Sequence, residues 1–327
     1  MESKFVRPYM SSVVVVGVCG LLAGCPPGSR GGGNATSAGT IRDRIVFERE
    51  AAANRFDIYL LQANGAGETR VFGTTAQESE PAWSRGNGTS EPPRIYFATD
   101  QSGNNDIHWV REDGTGEQIP NAAPAQDRVP AYSSNDKVAF ARERNGGFDI
   151  MTMGNDGGSL QLLTDNSCPD SEPAWSPDGT MIAYTTTAHT SVREEVSCNE
   201  SFDIWVMDQL GANPRRLTNT TDRNEVDPSW SPDGSRIVFE STMLNGSGAD
   251  LMIMNADGSG VRNLTNTSAI DETDPIFSSD GTEIIFAQSV TGANGSVIAA
   301  MPVSGGAARV LTPPGVVGRA PALANVR

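Results

Sequence analysis

The sequence predicts an all-β fold: a six-bladed β-propeller, a closed wheel of four-stranded antiparallel blades. Three observations carry that expectation. A short apolar strand recurs six times, as RIVF at Ile45, RIYF at Ile95, KVAF at Val138, MIAY at Ile182, RIVF at Ile237 and EIIF at Ile284. The copies are spaced by 50, 43, 44, 55 and 47 residues, the length of one four-stranded blade and too long for a leucine-rich or ankyrin unit. Finally, the repeat region opens on one strand type and closes on another, so the two ends of the chain can complete a single blade between them.

The elements of one repeat follow in a fixed order. After each RIVF-type strand comes one that opens with Asp and an aliphatic residue: Asp57-Ile58, Asp106-Ile107, Asp149-Ile150, Asp203-Ile204 and Asp250-Leu251. The sixth copy, around Val297, lacks the Asp. A glycine turn follows, such as Asn64-Gly65 or Asp156-Gly157, the residue types that supply positive φ in tight hairpins. A third strand reads QLLT at Leu163, RRLT at Leu217, RNLT at Leu264 and RVLT at Leu311, with looser versions at Val71 and Ile119. The last strand, of the type EPAWS, places Trp83, Tyr132, Trp175, Trp230, Phe277 and Leu323 in one slot, as a bulky anchor between packed sheets requires. Pro177-Asp178-Gly179 and Pro232-Asp233-Gly234 then turn the chain into the next copy.

These stretches, PAWSPDGTMIAYTT with DIWVMD and RRLT above all, resemble the TolB-type, WD-like propeller repeat over residues 44 to 325. The resemblance is specific in several blades and degenerate in the second and sixth. It implies that the PAWS strand is innermost. Residues 320 to 324 are then expected to pair with the strand at 44 to 50, which leaves no open sheet edge at the seam.

The N-terminus reads as an address. Lys4 and Arg7, an apolar run from Val13 to Leu22, and Leu22-Ala23-Gly24-Cys25 form a signal peptide over residues 1–24. Its end resembles the lipobox of bacterial lipoproteins, which implies lipidation of Cys25. Residues 26–40, rich in Gly, Ser and Pro, read as a flexible tether with an r.m.s. span of roughly 20 Å. The expected organisation is therefore signal peptide 1–24, lipidated cysteine and tether 25–40, and propeller 41–327. The protein is expected in the cell envelope, held to the membrane through its lipid alone. Pro26 after the cysteine lacks the Asp that commonly signals inner-membrane retention, which favours the outer membrane.

Composition narrows the function. A formal net charge of −16 without a compensating Lys/Arg cluster opposes nucleic acid and anionic lipid as partners. In the expected topology, the loops entering the innermost strand and those between the second and third strands open on one face. That places Cys168 beside Cys198, and in an exported protein the two are expected to form a disulfide. The same face gathers acids: Glu78, Asp127, Asp170, Glu225 and Glu272 stand three residues before the inner-strand proline, and Glu80, Glu172, Asp227 and Asp274 directly before it. Such a ring would attract a cation, a basic peptide or an Arg-rich loop, while acids in repeats also serve by accepting backbone hydrogen bonds from the next blade. Both roles can coexist.

Calcium in the channel is the one cofactor these oxygens would suit, but no EF-hand-like spacing is present and no cofactor is expected. His108 occupies the strand position of Tyr59, Met151, Trp205 and Met252, so it reads as packing. His189 stands alone in a loop. The sequence thus points to a monomeric binding module for an envelope protein or basic peptide segment, not an enzyme. Related propellers in prolyl-oligopeptidase-like peptidases need a fused hydrolase domain with a Gly-x-Ser-x-Gly elbow, and those of pectin lyases need several metal-holding histidines; neither is found. A carbohydrate-binding or carbohydrate-processing surface propeller is the alternative. TolB itself carries an additional α/β domain before its propeller, and the 18 residues between Cys25 and the first strand leave no room for one.

Overall fold

Strands of the RIVF type are apolar at consecutive positions because both of their faces are buried. Ile45 and Phe47 pack into one cluster with Ile285, Ile298 and Leu311, while Val46 between them packs into another with Ile58, Trp83 and Phe97. Alternate side chains of one strand thus serve two neighbouring sheets. The computed structural model describes residues 44–52, 55–84, 92–188, 198–245, 248–267, 270–289 and 295–324. The signal peptide, Cys25, the tether and His189 lie outside the described residues.

Six antiparallel sheets result. Blade 4 shows the plan: an inner strand Asp170–Trp175, a second Met181–Ala188, a third Cys198–Asp208 and an outer Arg215–Arg216, paired in that order. Blades 3, 5 and 6 repeat it from inner strands Asp127–Tyr132, Arg223–Trp230 and Glu272–Phe277. Blade 1 takes its inner strand, Gly318–Ala324, from the far end of the chain. It pairs with Arg44–Ala52, Ile45 facing Leu323 and Glu48 facing Arg319. The inner strands touch in succession from blade to blade, and that of blade 1 touches those of blades 6 and 2, so the wheel is closed.

Blade 2 departs from the plan. Its sheet has three strands, Glu78–Trp83, Arg94–Thr99 and Asp106–Arg111, and its outer segment is reduced to one bridge between Trp109 and Gln118. Its outer segment also differs in sequence. In blades 3 to 6 a Thr hydroxyl of the outer segment accepts the third-strand N–H: Thr164 from Ile150, Thr218 from Ile204, Thr265 from Leu251 and Thr312 from Ile298. Blade 2 has Pro120 in that place, and Ile119 before it is 42% exposed where Leu163 is 3%.

The core lies between blades rather than within them. Six apolar clusters fill the six junctions, and each holds one anchor of the EPAWS slot: Trp83, Tyr132, Trp175, Trp230, Phe277 and Leu323. At the closing junction Gly318 is required by close approach, since a Cβ there would stand 2.8 Å from the Phe47 ring and 3.3 Å from Ile298. Gly318→Ala is therefore expected to destabilise the protein by about 1–3 kcal/mol through overpacking. Denaturant unfolding measures this, and an unchanged midpoint would mean that the closing junction is loosely packed.

Candidate functional site

The acids three residues before the proline do not present their carboxylates at a channel mouth. Glu78, Asp127, Asp170, Glu225 and Glu272 are all buried, at the junctions between blades. The junction of blades 4 and 5 shows why. Asp203 Oδ1 accepts from Thr218 Oγ1 and from the Thr220 N–H, both at 3.3 Å, and its other oxygen meets Arg216. Thr220 Oγ1 lies 2.8 and 2.7 Å from the two carboxylate oxygens of Glu225 in the next blade. A third-strand Asp and an inner-strand Glu are thus joined across the junction by one Thr.

The same bridge recurs with substitutions. Asn166 joins Asp149 to Asp170, through its N–H at 3.4 Å and its Nδ2 at 2.8 Å. Thr267 joins Asp250 to Glu272, and Thr74 holds Glu78 at 2.5 Å. Asp127 instead takes a two-pronged Arg142, at 2.7 and 2.6 Å. Desolvation is the main cause that pushes Glu78, Asp170, Glu225 and Glu272 up to about 7, and in each the neighbouring third-strand Asp adds to it. Asp127 is also raised by burial, with Arg142 acting against it.

The acids directly before the proline occupy a different place. Glu80, Glu172, Asp227 and Asp274 are half-buried and all adopt positive φ, 54°, 52°, 51° and 51°. Val129 and Ala320 complete a set of six with φ of 50° and 45°. Each marks a β-bulge in its inner strand, where proline follows and disfavours the right-handed helical region for the residue before it. The bulge frees an N–H, and a carboxylate of the preceding blade takes it up. Glu80 N–H donates to Glu48 Oε1 at 2.6 Å, Val129 N–H to Glu80 Oε2 at 2.8 Å, and Asp227 N–H to Glu172 Oε2 at 2.9 Å.

Glu80 and Glu172 belong to non-adjacent blades, yet the charge of Glu172 acts on Glu80. Burial pushes Glu80 up to about 7, the charges of Glu48 and Glu172 add to this, and the Val129 N–H and Arg128 oppose it. Glu48 was not singled out by the repeat, because it lies in the second strand; the signal for it is the RIVFE pentad, repeated at Glu240. It is buried, raised by desolvation, and held by Arg319 Nε at 2.5 Å across the closing pair of strands.

Cys168, just before the inner strand of blade 4, and Cys198, at the start of its third strand, are joined by a disulfide with Cα atoms 5.4 Å apart. His108 is buried, with Nδ1 2.8 Å from Glu117 Oε1 and its ring against Phe97. Among the described residues no group of three or more His, Cys, Asp or Glu side chains is arranged to hold a metal ion.

The Thr bridges give a direct test. Thr220→Val keeps the volume but removes the oxygen between Asp203 and Glu225. It is expected to cost about 1–3 kcal/mol in denaturant unfolding, the range for leaving a buried polar group unsatisfied. A neutral result would show that the bridge adds nothing to the junction.

The family model of the TolB beta propeller domain matches residues 42–202 and 191–325. None of the curated proteins matches the chain. Among solved structures, TolB from Acinetobacter baumannii is 19% identical with a TM-score of 0.71, covering 88% of this chain and 67% of that one. A putative TolB from Agrobacterium tumefaciens is 20% identical with a TM-score of 0.62, covering 82% of this chain and 88% of that one. An oligogalacturonate lyase in complex with manganese is 14% identical with a TM-score of 0.50, covering 82% and 73%. At these identities the structural likeness speaks for the fold, and the family rests on the matching model. With that match spanning the wheel from its first described strand to its last, the chain belongs to the TolB beta propeller domain family.

Proposed function

We propose that this protein is a cell-envelope lipoprotein whose propeller binds another protein, taking a basic segment of it over the axial acids. The observation that supports this reading most is that acids stand on or against the bulges of the inner strands, the charges of Glu48 and Glu172 acting on Glu80 and that of Asp274 on Glu48, with Glu172 receiving the Asp227 N–H and Arg128 and Arg319 among them, in a chain of net charge −16. Four of these acids are half-buried, where a charge is screened less by salt than it would be on the open surface. The ring's backbone hydrogen bonds hold the carboxylates in place before a partner arrives, which reduces the ordering cost of binding.

Binding of an Arg-rich peptide to the purified propeller is expected to weaken as salt rises. It is also expected to weaken on Glu172→Gln and Asp227→Asn, which remove charge but keep an accepting oxygen. Calorimetric titration measures both, with a glycan array as the second arm. Binding to a glycan alone, or peptide binding indifferent to salt and to both variants, would overturn the reading. The anchor has its own test: Cys25→Ala is expected to shift the protein from the membrane to the soluble envelope fraction, and unchanged fractionation refutes lipidation.

A further inference from the structure

The acid pairs at five junctions differ in one respect. Four have an arginine on them: Arg70 on Asp57 at 2.8 Å, Arg142 on Asp127 at 2.6 Å, Arg144 on Asp149 at 3.3 Å, and Arg216 on Asp203. Between blades 5 and 6 the position of Arg216 is taken by Asn263. Arg216 pairs with Trp205 and Asn263 with Met252, the same register in successive blades. Asn263 Nδ2 donates to Asp250 Oδ2 at 2.9 Å and brings no charge.

The surroundings of this pair supply none either. Asp250 also accepts from Thr265 Oγ1 at 3.2 Å and the Thr267 N–H at 2.9 Å. Glu272 faces Asp250, Asp271 and the hydroxyls of Thr265 and Thr267, and its partner on the adjacent strand is Gln288. Ser241 stands opposite Asp250 on the second strand of blade 5. Among the described residues no Lys or Arg forms an ion pair with Asp250, Asp271 or Glu272.

Hydroxyl geometry points the same way. Thr267 Oγ1 lies 3.0 Å from Ile270 O and 3.0 Å from both oxygens of Glu272. A hydroxyl has one hydrogen. When it serves Ile270 O, the contact with Glu272 is a hydrogen bond only if the carboxyl supplies the proton. Glu272 is 2% exposed, so an unmet contact there is not replaced by water.

We propose that the Asp250–Glu272 pair is a proton-binding site that makes the junction of blades 5 and 6 pH-sensitive, firm while Glu272 is protonated and weakened by like-charge repulsion once it ionises. Burial pushes Glu272 from the ordinary 4.5 up to about 7, and Asp250 and Asp271 act in the same direction. A folded-state value above the unfolded one means that the stabilisation is fully present below about 4.5 and is lost as the pH rises through about 7.

The molecule contains its own control. Asn263→Arg copies blade 4 into blade 5, and Arg216→Asn does the reverse. Melting temperatures at pH 5.5 and 8.5 are expected to fall less between the two values in Asn263→Arg than in the wild type, and more in Arg216→Asn, each by about 2 °C for a domain of this size. Comparing losses rather than midpoints removes the slope contributed by the other buried acids. Equal losses in wild type and Asn263→Arg overturn the proposal. If Asn263→Arg does not fold, Glu272→Gln takes its place, and a loss in it as large as that of the wild type overturns the proposal equally.

Discussion

The constraint on which everything else depends is that every blade buries both of its faces. A four-stranded sheet with Ile45 and Phe47 on one side and Val46 on the other cannot satisfy itself; it needs a neighbour against each. A row of such sheets would leave an apolar face bare at each end, and only closure removes both. Strand exchange between the chain ends follows from this. By drawing the inner strand of blade 1 from residues 318–324, the wheel fastens its last junction with backbone hydrogen bonds as well as side-chain packing. The inter-blade junction, more than the blade, is the unit of stability here.

Within each junction the polar and apolar parts divide the work by position. The EPAWS anchor of one blade lies against the preceding blade and supplies area, about 150–250 Å² for an aromatic side chain. The Asp–Thr–Glu bridge fixes how the loop between two blades is folded, because one residue such as Thr220 must satisfy acids on both sides. At the axis, the bulged N–H groups and the carboxylates that receive them tie the inner strands together. The same acids therefore bear structural load and set the electrostatic character of the axis, so charge-neutral variants that keep an oxygen separate the two roles where alanine would not.

The repeat was legible because its signals are local: the RIVF strand, the EPAWS slot and the turn residues each identify themselves in a few positions. Strand order and closure followed from where the series starts and stops. The acids were legible as a set but not as two sets, because sequence spacing of one residue gives no hint of a bulge. Two positions apart on a regular strand, Glu78 and Glu80 would share a face; the positive φ of Glu80 sends one into the junction and the other toward the axis. Glu48 was missed because only the three-dimensional ring makes a second-strand residue a neighbour of the next blade's inner strand. Pro120 in blade 2 gains a meaning only once the Thr hydroxyls at that position in blades 3 to 6 are seen to cap a backbone N–H.

The closing junction shows the logic by exception. Val297 stands where the other blades have their third-strand Asp, Val310 where blades 4 and 5 have Arg216 and Asn263, and Gly318 where the inner strand elsewhere carries its buried acid. The third-strand Asp, its Arg or Asn partner and the inner-strand acid are absent together. Each depends on the others: a buried Asp without its Thr, Arg or Asn would be an uncompensated charge, and removing one partner costs more than replacing the whole set by apolar groups. Closure of the ring brings together residues from opposite ends of the chain, at the greatest loop-closure cost of any junction. A desolvation penalty added there would fall on the step least able to absorb it. Instead Phe47, Ile298 and Gly318 meet in a close contact, and Glu48 pairs with Arg319 across the closing strands themselves.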